Sequence, residues 1–291
     1  MNPPLPIVVP RRKARKFEEI WYWLDLHLGR GSYTWLRRWL YPTQEAPIWT
    51  YARLLGSHLG PNTLWLDAGC GHCVLQARSE QPEQELVDRV RLAVGCDVDV
   101  SALRNHRSVP NRVCCQLDQL PFADESFDVV SLSFVVEHLA DPQAVFTEIA
   151  RIIAPNGLLI VHTPNAASYY VTLIRLGRWI FPESVVYWCI KFLESREPDD
   201  VFPTHYRANT SEKLHNLLET AGMRETLCLH LMDRPLCYFC APLSAVELLL
   251  GRVFTKLGWR RAVASTILAV YAKCPILAAP NMANGVSPRR A

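Results

Sequence analysis

Small residues, a carboxylate and two thiols are concentrated in one segment, LWLDAGCGHC, residues 64–73. Its last four residues, CGHC, have the spacing of a dithiol redox centre, and a thiol at the start of a helix has a lowered pKa. Asp67, Gly69 and Gly71 instead have the spacing of a loop in which the backbone approaches a bound molecule without an intervening Cβ. The segment is therefore consistent with disulfide exchange, with a thiolate metal site or with a cofactor loop.

The acidic residues of this region narrow the choice of cofactor. A dinucleotide-binding loop would read G-x-G-x-x-G, and here the sixth position is Val74. Asp67 would repel a phosphate and favours a ligand that carries a cation. A second carboxylate, Asp97, ends the apolar segment 90–97, where it can accept hydrogen bonds from ribose hydroxyls. The pair predicts a nucleoside cofactor with a cationic end, such as the ammonium of a methionine moiety.

Short apolar segments alternate with helical patterns and would bring these residues to one edge of a sheet. Continuous apolar strands are typical of parallel sheets that are buried on both faces. The clearest helix begins at Asp141-Pro142, an N-cap followed by proline, and ends before the turn at 155–157. This alternation predicts an α/β fold with a doubly wound sheet. The predicted strands are residues 64–69, 90–97, 112–117, 127–133, 157–164, 226–232 and 267–274.

Composition argues against several classes of function. The chain has 291 residues and a net charge of +3, too weakly basic to predict a nucleic-acid partner. The ten cysteines follow no visible secretory signal, so we expect reduced thiols and a cytoplasmic protein. No apolar run reaches the roughly 18 residues of a transmembrane helix. The basic cluster at 11–16 and the apolar helix at 244–257 raise the hypothesis of a peripheral membrane contact.

The chain is expected to divide into a central domain with additions at both ends. Residues 1–16 and 281–291 are rich in proline and small polar residues and are predicted to be disordered. Residues 17–60 are aromatic-rich and predicted to form helices that cap the domain at 61–280. Residues 165–203 interrupt the strand pattern, and their helical stretches predict a lid.

The series LWLDAGCGHC, AVGCDVD, LPFADESFDVV, FVVEHLADP and IIAPNGLLIVHTPN resembles the class I S-adenosylmethionine-dependent methyltransferases, with the motifs in order. The resemblance is strong over residues 50–165 and is greatest to enzymes that methylate small lipophilic metabolites. It implies a Rossmann-like, seven-stranded, mostly parallel sheet with an antiparallel C-terminal strand, with helical lid insertions. It also implies S-adenosyl-L-methionine as the cofactor.

The family's roles carry over to particular positions of this chain. The loop that would hold the methionine end spans residues 67–71, and Asp97 would bind the ribose. The remaining cofactor-binding positions would contact the adenine and the methionine portion. These ten predicted residues are Asp67, Ala68, Gly69, Cys70, Gly71, Asp97, Val98, Gln116, Leu117 and Ser133.

Two positions depart from the family pattern. Where the family has an Asp that binds the adenine amino group, this chain has Gln116, whose carbonyl can accept the same hydrogen bond. A slipped register would give that role to Asp118 instead, and both assignments stay open. The third glycine of the family's loop is Cys73 here, which would narrow the loop or turn its side chain into the following helix.

The cysteine pairs fit other functions less well. Thioredoxin-like domains put the motif in a fold of about a hundred residues, and the Asp67 carboxylate would oppose a thiolate on Cys70 or Cys73. A dithiol oxidoreductase is therefore the remote alternative. Cys237 and Cys240 form a second pair, but it lies far along the chain among apolar residues, so no metal site is predicted.

The acceptor side has less specific signals. If the methyl group goes to a hydroxyl, a general base helps, and the candidate catalytic residues are His138, His205 and Tyr206. His162 lies within a predicted strand and is expected to be a satisfied core residue. Aromatic residues of the lid and of the N-terminal helices predict a small lipophilic or aromatic acceptor.

The sequence thus predicts an enzyme, a methyltransferase of small-molecule metabolism, with O-methylation as the first expectation. N- or C-methylation of a lipophilic metabolite is the alternative, as is a protein that binds S-adenosylmethionine without catalysis. The acceptor, the methylated atom, the general base, the pathway and the oligomeric state cannot be read from the sequence.

Overall fold

The computed structural model describes residues 36–41, 45–75, 81–180, 203–233, 235–236 and 241–274. The chain divides into two compact units, one of residues 46–232 and 264–291, and one of residues 1–45 and 233–263. The predicted disordered ends, half of the aromatic N-terminal segment and the second half of the predicted lid lie outside the described residues.

The larger unit is built on a seven-stranded sheet with the order β3-β2-β1-β4-β5-β7-β6. Neighbouring strands from β3 to β5 pair in parallel, whereas β7 is antiparallel to both β5 and β6. The prediction of a mostly parallel sheet with an antiparallel C-terminal strand is confirmed. The strands are β1 (Leu64–Ala68), β2 (Leu92–Asp97), β3 (Asn111–Cys114), β4 (Phe127–Ser133), β5 (Ile153–Pro164), β6 (Met223–Leu231) and β7 (Thr266–Lys273).

Six α-helices of the larger unit are described, together with a 3₁₀ turn at Val136–His138 that follows β4. They are α1 (Pro47–His58), α2 (Gln81–Val87), α3 (Val100–Arg104), α4 (Pro142–Ile152), α5 (Tyr169–Ile180) and α6 (Ser211–Thr220). The Asp141 side chain accepts a hydrogen bond from the Ala144 amide at 3.2 Å, so α4 begins where its N-cap predicts. At its other end β5 begins at once, earlier than predicted, because Asn156 adopts φ 65° and the chain turns within the strand.

Both faces of the sheet are covered. Phe146 of α4 and Leu214 of α6 belong to the buried cluster on one face, and Tyr51 and Leu55 of α1 belong to the cluster on the other. Side chains alternate along a strand, so every second residue points to the sheet face that α1 covers. Toward the carboxyl edge of the sheet, the residues on this face are polar. These polar residues are Asp67 of β1, Ser131 and Ser133 of β4, and His162 of β5.

The described part of the smaller unit consists of helical residues 36–40, α7 (Ala241–Lys256) and α8 (Arg260–Val263). Leu40 and Leu248 are buried against each other, and the Tyr41 hydroxyl donates to the Leu248 carbonyl at 2.9 Å. Among the described residues, no helix is both long and apolar enough to cross a membrane.

Candidate functional site: the carboxyl edge of the sheet

The loop after β1 folds back onto the end of β2. Gly69 and Gly71 adopt φ values of 70° and 53°, which favour glycine. The Gly69 and Cys70 amides both donate to the Cys96 carbonyl, at 2.7 and 3.0 Å. Turns continue to Leu75, and the next described helix begins only at Gln81, so within the described residues CGHC does not start a helix.

The two glycines have different surroundings. A Cβ added to Gly69 would lie 2.5 Å from Cγ2 of Val135, so this position is closed by the protein itself. A Cβ added to Gly71 would meet nothing within 4 Å. The backbone at Gly71 therefore faces open space, as a loop that a ligand approaches closely must.

Asp97 connects this loop to the end of β2. Its Oδ2 accepts a hydrogen bond from the Gly71 amide at 2.8 Å, and its Oδ1 accepts one from the Asp99 amide at 2.9 Å. Each carboxylate oxygen has a second lone pair, so both can still accept from the hydroxyls of a ribose. The carboxylate thus holds the loop in place and has the acceptors that its predicted role requires.

Asp67 is a carboxylate with only 3% of its surface exposed. The Ser131 hydroxyl donates to its Oδ1 at 2.6 Å, and the Trp65 indole donates in turn to the Ser131 oxygen at 2.9 Å. Burial raises the pKa of Asp67 to about 7, and the charges of Glu83 and Asp97 act in the same direction, against the Ser131 hydrogen bond. A cation bound beside Asp67 would compensate this buried charge, which fits the predicted ammonium.

Tyr51 of α1 lies beside Asp67 and stacks on His162, with ring centroids 5.2 Å apart, while Phe134 meets the imidazole edge-on at 4.7 Å. Within the part of the chain that the structure describes, neither His162 nitrogen has a hydrogen-bond partner, whereas the Tyr51 hydroxyl lies beside the hydroxyls of Ser131 and Ser133. His162 is buried as expected, but the expectation that it is satisfied is wrong for the described contacts. Burial lowers the pKa of His162 to about 4, so its imidazole is neutral near pH 7.

The three predicted acceptor-side residues come together around Glu137 of the 3₁₀ turn. The His205 and Tyr206 amides both donate to the Glu137 carbonyl, at 2.7 and 3.2 Å, and His138 Nδ1 lies 3.0 Å from the Pro203 carbonyl. Residues 203–206 are therefore joined by hydrogen bonds to the 3₁₀ turn that follows β4. Tyr206 adopts φ 50°, an uncommon backbone conformation that is enriched at functional sites.

Glu137 itself is buried and supports this junction. Its Oε2 accepts a hydrogen bond from the Thr163 hydroxyl at 3.1 Å, and the Asn209 amide donates to the same hydroxyl at 2.6 Å. The 3₁₀ turn, β5 and the segment before α6 are thus connected through polar side chains.

The remaining predicted cofactor positions lie along the same edge. Val98 is exposed directly after Asp97, where an apolar side chain can pack on a planar base. Gln116 and Asp118 are both exposed after β3, so the structure does not choose between them, and Leu117 is half-buried against the core. Ser133 ends β4 half-buried. The roles of these residues stay predictions.

The two cysteines of CGHC are largely buried and do not have the lowered thiol pKa that disulfide exchange requires. Burial raises the pKa of the Cys70 thiol well above its usual range and the pKa of Cys73 to about 11. A lowered thiol pKa, which the dithiol alternative needs, is therefore not found. Among the described residues, no group of three or more His, Cys, Asp or Glu side chains could hold a metal ion, and Cys237 and Cys240 lie outside them.

Cys70 instead fills space that a glycine of β2 leaves. A Cβ on Gly95 would lie 2.8 Å from Sγ of Cys70. We expect Gly95→Ala to lower the free energy of unfolding by about 1–3 kcal/mol through overpacking. Cys70→Ala in the same chain should recover most of that loss because it removes the sulfur. Urea unfolding of the two single variants and the double variant measures the coupling, and additive effects would contradict the contact.

Sequence reasoning missed the residues that tertiary packing brings to this edge. Tyr51 was one of many aromatics in its segment, and nothing in the pattern distinguished it. Ser131 could have been found, because it lies two residues before Ser133 on the same strand face. Glu137, next to His138, could not be found in this way, because a buried carboxylate has no sequence signal of its own.

Part of this chain is similar in sequence to known methyltransferases. Residues 66–161 match the family described as "Methyltransferase domain". A demethylmenaquinone methyltransferase of Corynebacterium kroppenstedtii is 37% identical over 113 residues, which are 35% of this chain and 49% of the relative. A probable S-adenosylmethionine-dependent methyltransferase of Mycolicibacterium smegmatis is 30% identical over 161 residues, or 54% of this chain and 50% of the relative. The chain thus spans about half the length of these curated relatives.

The fold comparison agrees with the sequence comparison. An S-adenosylmethionine-dependent methyltransferase from Mesorhizobium loti superposes with a TM-score of 0.51 at 17% identity, over 78% of this chain and 98% of that one. Residues 66–161 are therefore similar in sequence to a methyltransferase domain, and the chain shares the fold of an S-adenosylmethionine-dependent methyltransferase.

Proposed function

We propose that this chain transfers a methyl group from S-adenosylmethionine to a small lipophilic acceptor. The observation that carries the proposal is the convergence of Asp67, the open backbone at Gly71 and Asp97 at adjacent strand ends of the matched domain. A buried carboxylate and a ribose-binding carboxylate on either side of a glycine loop suit a nucleoside with a cationic end.

The residues present fit this cofactor. Asp67 would hold the ammonium, the loop at residues 69–71 would lie against the methionine portion, and Asp97 would accept from the ribose. When bound, S-adenosylmethionine supplies a methyl group on a sulfonium. The nucleophile of the acceptor attacks the methyl carbon in line, and the sulfur is the leaving atom. The protein's own contribution is to orient the nucleophile and to exclude water from this edge.

The acceptor proposed first is a quinone-type ring, because several relatives are demethylmenaquinone methyltransferases. Transfer to a ring carbon of the reduced quinone then becomes as reasonable as the O-methylation expected from the sequence. In O-methylation the acceptor hydroxyl is the nucleophile once it loses its proton. In C-methylation the same proton loss makes the neighbouring ring carbon nucleophilic, and that carbon loses its own proton after the methyl group has been transferred. His138 and His205, joined at Glu137, are the proposed proton acceptors.

The lid and the cap are part of the proposal. The described part of the predicted lid, residues 165–180, would cover the acceptor, and Leu173, Leu176 and Ile180 of α5 are exposed apolar side chains there. On the inner side, α1 places Tyr51 over the polar end of the sheet face. Apolar surface on a covering helix suits a lipophilic acceptor.

Binding and turnover should be measured separately to test the proposal. Calorimetry with S-adenosylmethionine should show binding, and labelled methyl transfer should be seen with a reduced demethylated naphthoquinone in a panel of phenols and amines. Transfer to phenols alone would identify an O-methyltransferase instead. Binding without turnover on any acceptor would favour a non-catalytic protein, and absence of binding would contradict the proposal.

A further inference from the structure

Helix α7 of the smaller unit exposes an apolar stripe to solvent. Its six members are between 48% and 64% exposed, whereas Ser244, Leu248 and Gly251 on the opposite side are buried. The large apolar side chains of the helix thus lie mainly on the side that faces water. The stripe consists of five residues of α7 and of Leu257, which follows the helix directly and whose amide donates to the Val253 carbonyl. The five helical residues are Leu243, Val246, Leu249, Leu250 and Val253.

The spacing of the stripe places it on one side of the helix. Its positions recur three or four residues apart, and at 100° per residue they fall within about 120° of the helix circumference. A contiguous apolar surface of this kind is unusual on a soluble protein unless it binds something. Scattered exposed apolar side chains would need no explanation, but six on one side of a helix do.

The charges around the stripe indicate what it binds. Residues 241–263 contain four cations, Arg252, Lys256, Arg260 and Arg261, and one acid, Glu247, for a net charge of +3. Lys256, Arg260 and Arg261 are exposed at the end of the stripe, next to Trp259, which is also exposed. The Glu247 side chain accepts a hydrogen bond from the Leu236 amide at 2.7 Å.

We propose that the stripe is a docking surface for an anionic lipid bilayer. Leucine and valine side chains would enter the acyl boundary, Trp259 would lie at the headgroup level, and the basic residues would contact acidic headgroups. A second copy of this chain is a poorer occupant, because its α7 segment would bring one acid to four cations. The inference is independent of the proposed methyl transfer, although a lipophilic acceptor would reside in the same bilayer.

Vesicle sedimentation of the full chain tests the proposal. The protein should pellet with phosphatidylcholine vesicles that contain phosphatidylglycerol and much less with phosphatidylcholine alone. R260Q/R261Q should weaken binding to the acidic vesicles roughly 30-fold, from about 1 kcal/mol per basic residue near such a surface. Equal binding to both kinds of vesicle, or none to either, would overturn the proposal.

Two exposed leucines, one inside the stripe and one outside it, distinguish lipid binding by the stripe from nonspecific hydrophobic adsorption. Leu250→Glu should lower vesicle binding by roughly tenfold or more, because a charge replaces a side chain that would be buried in lipid. Leu92→Glu changes another exposed leucine, 39% exposed at the start of β2, and should bind as the parent does. Circular dichroism melts check that both variants fold. Equal loss in both variants, or a dimer that only Leu250→Glu dissociates, would refute lipid docking.

Discussion

Asp67→Asn should lower the affinity for S-adenosylmethionine by about 100-fold while making the free protein more stable. The loss of affinity follows because the ammonium would lose a charged hydrogen-bond partner in a buried site. The asparagine oxygen can still accept from Ser131, so the local structure should persist. Calorimetric titration at pH 7 measures the affinity.

The gain in stability follows from the raised pKa. The Asp67 pKa rises from its ordinary 3.8 to about 7 in the fold, so the folded protein favours the neutral carboxyl. The penalty is absent below pH 3.8, grows as the pH rises toward 7 and is complete above 7, on the order of 4 kcal/mol. Urea unfolding at pH 8 should show the variant to be the more stable protein.

Asp128→Asn is the matched control. Its carboxylate accepts a hydrogen bond from the Leu64 amide at 2.8 Å, at the opposite end of β1, and is exposed. This variant should bind S-adenosylmethionine as the parent does. If both variants lose affinity equally, Asp67 does not hold the ligand.

Gly69→Ala should mainly lower the stability of the fold, whereas Gly71→Ala should mainly lower the affinity for the cofactor. At Gly69 the new Cβ meets Val135 at 2.5 Å and φ is 70°, so the free energy of unfolding should fall by about 2–4 kcal/mol. At Gly71 the protein leaves open space, so stability should fall by only about 1 kcal/mol from the unfavourable φ. Cofactor affinity, however, should fall about tenfold or more, because the methyl would stand where the ligand approaches.

Chemical denaturation and calorimetry of both glycine variants separate folding from binding. Val135→Ala in the Gly69→Ala chain should recover the steric part of the loss and not the part due to φ. If Gly71→Ala binds the cofactor as tightly as the parent, the open space at Gly71 is not part of the site.

The sheet and its carboxyl edge could be predicted because their signals are local. Two continuous apolar segments, with Asp67 and Asp97 at their carboxyl ends, predict both the parallel sheet and the two carboxylates that flank the loop. The start of β5 was misplaced because the turn at Asn156 occurs within the strand rather than before it.

The other half of the site depends on packing between distant segments. Tyr51 stacks on His162 from a helix more than a hundred residues earlier in the chain. Glu137 accepts hydrogen bonds from the His205 and Tyr206 amides, more than sixty residues later in the chain. The CGHC motif resembles a redox centre in sequence, but Sγ of Cys70 packs against Gly95 in the neighbouring strand. Spacing along the chain does not specify such contacts.

The most direct test of the account is calorimetry of S-adenosylmethionine binding between pH 5.5 and 7, in buffers of different ionisation enthalpy. The ligand's own amino group titrates above this range. Since the pKa of Asp67 is about 7 in the free protein, affinity should rise about tenfold across the range, with about half a proton released at pH 7. Asp67→Asn should abolish both effects. Binding that is independent of pH and releases no proton, or no binding at all, would contradict the central claim that Asp67 holds the cofactor's cation.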